Sequence, residues 1–128
     1  MTVQTVIRRF GDKDGLVAAA AERGQAQVGH DRGAAPVGDL TGLVRNLVDH
    51  YEDQGRLALR LLAEEENAPA IGAITRRARA FHHDWCARVF DPWLALTTGA
   101  ARRRLLAQLV AVCDVYTWKL LRLDSGLS

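Results

Sequence analysis

The sequence predicts an all-α protein, and three observations predict it. Apolar residues recur three or four positions apart over several long stretches, the spacing that lines one helix face. No run of useful length alternates β-branched and polar residues with the period of two that a strand requires. Gly, Pro and capping Asp residues fall between these stretches at helix-length intervals.

The first helix runs from about Thr2, in the N-cap position, to Phe10, where Gly11 stops it. Asp12 caps a second helix, in which Leu16 and Val17 lead through Ala18–Ala21 to about Val28. Gly29 to Gly38, with Gly33 and Pro36 inside it, reads as a loop. Asp39 then caps an amphipathic helix with Leu40, Leu43, Val44, Leu47, Val48 and Tyr51 on one face and Arg45, Asn46, Asp49 and Glu52 on the other. Gly55 separates it from a shorter helix around Leu57, Leu59, Leu61 and Leu62, which ends in the acidic run Glu64–Glu66.

Pro69 suits the first turn of the next helix. Its stripe holds Ile71, Ile74, Ala78, Phe81, Trp85 and Val89, with Arg76, Arg77, Arg79 and Arg88 largely outside it. Asp91-Pro92 breaks or bends the chain, because proline disfavours helical geometry in the residue before it. A last long helix follows Gly99, roughly Ala100 to Leu123. Its apolar stripe (Leu105, Leu106, Leu109, Val110, Val112, Cys113, Tyr116, Leu120, Leu121) is wide enough to be buried on two sides. A central core helix and a dimer-forming helix both answer that description.

Length, at 128 residues, allows a single helical core but not two large ones. A formal net charge of +2 is too small to identify a partner, so the position of the charges matters more than their sum. Cys86 and Cys113 are far apart and match no metal-type or redox-type spacing, which predicts two buried, reduced thiols. No apolar run approaches the roughly 20 residues that span a bilayer. The N-terminus also lacks the pattern of a signal peptide, and a cytoplasmic location is expected.

The most informative segment is Thr2-Val3-Gln4-Thr5-Val6-Ile7-Arg8-Arg9-Phe10-Gly11-Asp12-Lys13-Asp14-Gly15-Leu16. It resembles the second half of the helix-turn-helix of TetR-type transcriptional regulators. In that family a small polar residue opens the recognition helix, a Thr sits in its first turn, and an Arg and an aromatic close it. A Gly or Pro, a capping residue, a Lys and a small-Leu pair then follow, as they do here. The resemblance implies a partial helix-turn-helix over residues 1–28, with a recognition helix at about 2–10 and a connecting helix at about 12–28. It implies a helical effector-binding and dimerisation domain over residues 39–128. Thr2, Gln4, Thr5, Arg8, Arg9 and Lys13 occupy family DNA-contact positions, while Ile7 stands where a backbone-contacting Tyr is common.

The side chains suit that role. Short polar groups near the start of a recognition helix let its backbone approach base edges in the major groove. Gln4 has an amide that pairs with adenine, and Thr5 has a methyl group for a thymine contact. Arg8 and Arg9, one turn on, reach phosphate or guanine, and Lys13 joins the free N–H groups of the next helix in holding a phosphate. The plain alternative is a short amphipathic helix with a solvated basic end. The number of positions matched in order favours the resemblance.

In the family, two further helices precede this segment and pack against it, so Val3, Val6 and Phe10 expect partners from that side. Met1 stands where the family usually has Val, and a valine codon serves as a start codon in bacteria, so a gene start further upstream is expected. Family members commonly continue past a Gly-Leu-Ser such as Gly126-Leu127-Ser128 into a helix that completes the dimer interface.

In the C-terminal half, His82, Trp85 and Cys86 share the inner side of one helix, and Tyr51, Trp93 and Tyr116 add aromatic surface. Together they read as the wall of a small-molecule effector pocket, or as ordinary core packing. A metal site from His82, Cys86 and a third ligand such as Asp114 has no recognised ligand spacing behind it. The sequence carries no glycine-rich phosphate loop, nucleophile motif or metalloprotease His-Glu pairing, so neither an enzyme nor a cofactor is expected. The function expected is a ligand-responsive repressor that binds operator DNA as a homodimer, with DNA binding impaired without the preceding helices. The alternative is a helical ligand-binding or subunit-pairing protein that does not bind DNA.

Overall fold

The structure, a computed structural model, describes Thr2, Gln4, Thr5 and residues 13–128, with only the backbone described for Lys13 and Asp14. It is all-α, with no strand among the described residues. The elements are α1 (Lys13–Gly33), α2 (Leu40–Glu64), α3 (Pro69–Val89), α4 (Asp91–Leu94), α5 (Gly99–Val112) and α6 (Val115–Trp118). The last of these runs on through a π-helical turn, Lys119–Asp124. No helix among the described residues is long and apolar enough to cross a membrane.

α1 continues past Val28 to Gly33, through residues whose glycines had suggested a loop. The final carbonyls of a helix have no partner within it. Here side chains from other helices supply the donors. Asn46 Nδ2 donates to the Asp31 carbonyl at 2.8 Å, and Trp85 Nε1 donates to the Arg32 carbonyl at 2.8 Å. Arg88 donates to the carbonyls of Arg32 and Ala35, each at 3.3 Å, and sets a positive charge at the helix C-terminus. The chain then turns at Gly38, whose φ of +75° suits glycine and whose N–H donates to the Val89 carbonyl at 3.0 Å.

Asp39 caps α2 as the sequence predicts, its side chain accepting the Gly42 N–H at 3.1 Å. The helix does not stop at Gly55. A Cβ at that position would lie 2.6 Å from Cζ3 of Trp118, so the missing side chain makes room for an indole ring. Glycine in a helix interior costs about 1 kcal/mol, and burial of the Trp118 ring offsets it. Leu43, Leu47, Tyr51 and Gly55, four apart, form the buried edge of α2. Leu40, Val44 and Val48 of the predicted stripe are exposed and line a shallow depression with Thr41, Arg45 and Asp49.

Past Glu64 the acidic run does more than end a helix in solvent. Glu65 accepts hydrogen bonds from Thr75 Oγ1 at 2.6 Å and from Arg79, tying the α2–α3 junction to the outside of α3. These two bonds hold the Glu65 carboxyl below its usual range, the Arg79 bond foremost. Pro69 opens α3, which buries Gly72, Thr75, His82, Trp85, Cys86 and Val89. The chain breaks at Phe90, and Pro92 falls in the first turn of the short α4.

The single long helix expected from Ala100 to Leu123 is two helices. α5 ends at Val112, and the Asp114 side chain accepts the Tyr116 N–H at 2.9 Å, capping a new start. Asp is a strong N-cap and only a middling helix former, so its side chain competes for the backbone there. The second helix turns Val115 and Trp118 into the core beside Leu106 and Cys113.

Candidate functional site

Four of the six residues predicted to wall a pocket meet in the core, around a residue that the sequence did not single out. Arg32, in the last turn of α1, is only 4% exposed. Its guanidinium lies 4.3 Å from the centre of the Trp85 ring, with the rings of Phe81 at 5.5 Å and Tyr51 at 6.0 Å. No carboxylate forms an ion pair with it among the described residues, and its Nε has no hydrogen-bond partner. A buried cation in this position is held by ring quadrupoles and one hydrogen bond rather than by a counter-charge.

That hydrogen bond fixes the state of His82. Arg32 Nη2 lies 3.0 Å from His82 Nδ1, and a guanidinium only donates, so Nδ1 is the unprotonated acceptor. Nε2 therefore carries the hydrogen and donates to the Val110 carbonyl at 3.0 Å. The same Nε2 lies 3.9 Å from the Cys86 sulfur. Burial, with a further push from the nearby Arg32 charge, lowers the His82 pKa, although the Val110 bond partly opposes this. His82 is thus a neutral ring with both nitrogens engaged, and neither is free to serve as a general base. Tyr51 is equally committed, its hydroxyl donating to the Cys113 carbonyl at 2.7 Å. Burial raises its pKa.

The outcome for the remaining predicted residues is mixed. Trp93 stands at the outer end of an aromatic run, 5.8 Å from Phe90, which itself lies 6.5 Å from Trp85. Tyr116 is 51% exposed and adds no surface to the cluster. Beside the cluster, a depression of about 300 Å³ is lined by Asp31, Asn46, Asp49, His50 and Asp53, together with His30 and Ala34. His50 is held to a pKa of about 4, first by burial and then by Arg32. No group of three or more His, Cys, Asp or Glu residues is arranged to hold a metal ion among the described residues.

Of the predicted DNA-contact residues, Thr2, Gln4 and Thr5 are exposed. The Thr2 hydroxyl accepts the Thr5 N–H at 3.2 Å, three residues on, which is N-cap geometry at the predicted helix start. Arg8 and Arg9 lie outside the described residues, as do Val3, Val6, Ile7 and Phe10, and of Lys13 only the backbone is described.

Sequence reasoning missed Arg32 and Trp118 as members of the core, because their partners are 50 or more positions away: Arg32 with His82, and Trp118 with Tyr51 and Gly55. The cluster's evident role is to anchor the C-terminal end of α1 between α2 and α3. The chain matches no protein-family model, no curated protein and no solved structure.

Proposed function

We propose that this chain is a DNA-binding transcriptional regulator of the TetR type, acting as a ligand-responsive repressor. The observation that carries the reading is the Thr2–Leu16 segment, with a Thr hydroxyl capping its start and Gln4 and Thr5 exposed beside it. In this reading Gln4 and Thr5 read base edges, and Thr2, Arg8, Arg9 and Lys13 hold phosphate or guanine.

α1 is then the connecting helix, and its 21 residues span roughly 30 Å at 1.5 Å each. Its far end is clamped by Asn46, Trp85 and Arg88. A small molecule engaging Tyr51, His82, Trp85 or Cys86 would shift that clamp, and a small rotation there becomes a larger displacement at the DNA end. A homodimer through the C-terminal helices would set two recognition helices about one DNA turn apart. Val112, Tyr116, Leu120 and Leu121, all exposed, supply apolar surface for such pairing.

The test is DNA binding by this chain and by a form extended with its upstream in-frame residues, on the intergenic DNA beside the gene at two salt concentrations. The proposal expects the extended form to bind, with affinity falling steeply as salt rises, and Arg8→Ala to weaken binding and reduce the salt slope. Absence of binding by both forms would reject it in favour of a helical ligand-binding or subunit-pairing protein, a role the exposed C-terminal apolar residues also suit.

A further inference from the structure

α2 has two apolar edges, and the fold buries only one of them. Leu43, Leu47, Tyr51 and Gly55 face the core. Leu40, Val44 and Val48 repeat at the same four-residue spacing but stay 55%, 42% and 41% exposed, and Val37, just before the helix, is 50% exposed. A contiguous apolar row left in water along one helix is the kind of surface that marks an interface.

The residues beside that row restrict what can cover it. Thr41, Arg45 and Asp49 border it, and together they line a shallow depression of about 470 Å³. Arg45 and Asp49 are exposed, and neither forms an ion pair among the described residues. Cation before anion at i and i+4 is the weaker order for pairing within one helix, so both charges are open to a partner. The face therefore carries an apolar flank on one side. On the other it has one charge of each sign, a helical turn apart.

We propose that this face pairs with the same face of a second copy of the chain, α2 against α2, antiparallel about a two-fold axis near residues 46–47. Such an axis sets each flank against its own copy with the direction reversed. Val44 then packs near the partner subunit's Val48, and Val48 near the partner subunit's Val44. Arg45 comes beside the partner subunit's Asp49, and Asp49 beside the partner subunit's Arg45. A parallel pair would instead set the charged flank against the apolar one. An unrelated apolar helix would cover the row and leave both charges unmatched, whereas a second copy satisfies row and charges together. The residues involved are not those of the exposed C-terminal surface (Val112, Tyr116, Leu120, Leu121), so this is a separate interface and does not rest on the DNA-binding reading.

The test is the mass of the 128-residue chain by analytical ultracentrifugation across a concentration series, with Tyr116→Glu and Leu120→Glu present to remove C-terminal pairing. A concentration-dependent dimer is expected, and a monomer at every concentration would overturn the proposal. In the same background, Arg45→Asp or Asp49→Arg alone sets like charges across the axis and should raise the dimer Kd about tenfold or more. The two reversals combined in one chain should restore the parent Kd. An equimolar mixture of the two single variants should form a heterodimer tighter than either variant's own dimer. A dimer indifferent to the single reversals, or a mixture that gains nothing, would equally overturn it. Made in the unaltered chain, the same reversals report on this interface through the association of the mixture, so the test holds even if the C-terminal substitutions unfold the protein.

Discussion

Leu43 on α2 and Arg32 at the end of α1 are both removed from water, one at 0% exposure and the other at 4%, by opposite physics. Leu43 is buried because water rejects it, and it sits in a row with Leu47 and Tyr51 that repeats every four residues. Arg32 is buried against the preference of its charge, and what keeps it there is a set of specific contacts with Trp85 and His82. Apolar burial depends on a pattern, while polar burial depends on particular partners.

The largest expected effect lies on the apolar side of that contrast. Leu43→Ala should cost about 2–5 kcal/mol in urea unfolding, because the fully buried side chain leaves a cavity that its neighbours fill only in part. A loss below about 1 kcal/mol would mean that this row is not the core of the fold.

The same contrast explains what the sequence disclosed. The helical class, the Asp39 cap, the Pro69 start and the break before Pro92 are all written within a few residues of where they act. Helix continuity at Gly55 and the division at Asp114 were misread for related reasons. Gly55 looks like a separator until the Trp118 ring is placed on it, and Asp114 looks like one polar residue in a wide apolar stripe until it caps Tyr116. In the candidate site, Tyr51, His82, Trp85 and Cys86 were legible as inward-facing residues at helical spacing. Arg32 was not, because nothing near it in the chain distinguishes it from a surface arginine. Its burial is decided by aromatic rings on α2 and α3.

Gly55→Ala sharpens the comparison at a position where both kinds of information meet. Alanine is the better helix former by about 1 kcal/mol. Its Cβ, however, would stand 2.6 Å from the Trp118 ring, a clash of the kind that costs about 1–3 kcal/mol. Packing should win, giving a net loss of about 1–2 kcal/mol and a shift in tryptophan fluorescence as the ring moves. A gain in stability would show that α6 does not seat its tryptophan on α2.

The smallest expected change at neutral pH is also the sharpest test, because it exchanges one kind of burial for the other. Arg32→Met removes the cation–π contact and leaves His82 Nδ1 without its donor, losses of about 1–3 kcal/mol together. It also removes the cost of keeping an unpaired charge out of water, which is several kcal/mol. The net change at pH 7 should therefore fall within about 1 kcal/mol of the parent. Its signature appears in acid. Burial holds His50 at a pKa of about 4 instead of 6.5, with Arg32 the next cause, and it lowers His82 as well. Below pH 6.5 the unfolded chain takes up protons that the folded chain refuses, so stability present above that pH drains away as pH falls toward 4. Without the Arg32 charge both histidines protonate more readily in the folded state, and the slope of stability against pH across that window should flatten. A chain that unfolds outright on Arg32→Met would show instead that the guanidinium holds the end of α1 as strongly as the leucine row holds α2. Unchanged acid sensitivity would show that burial alone sets the histidines.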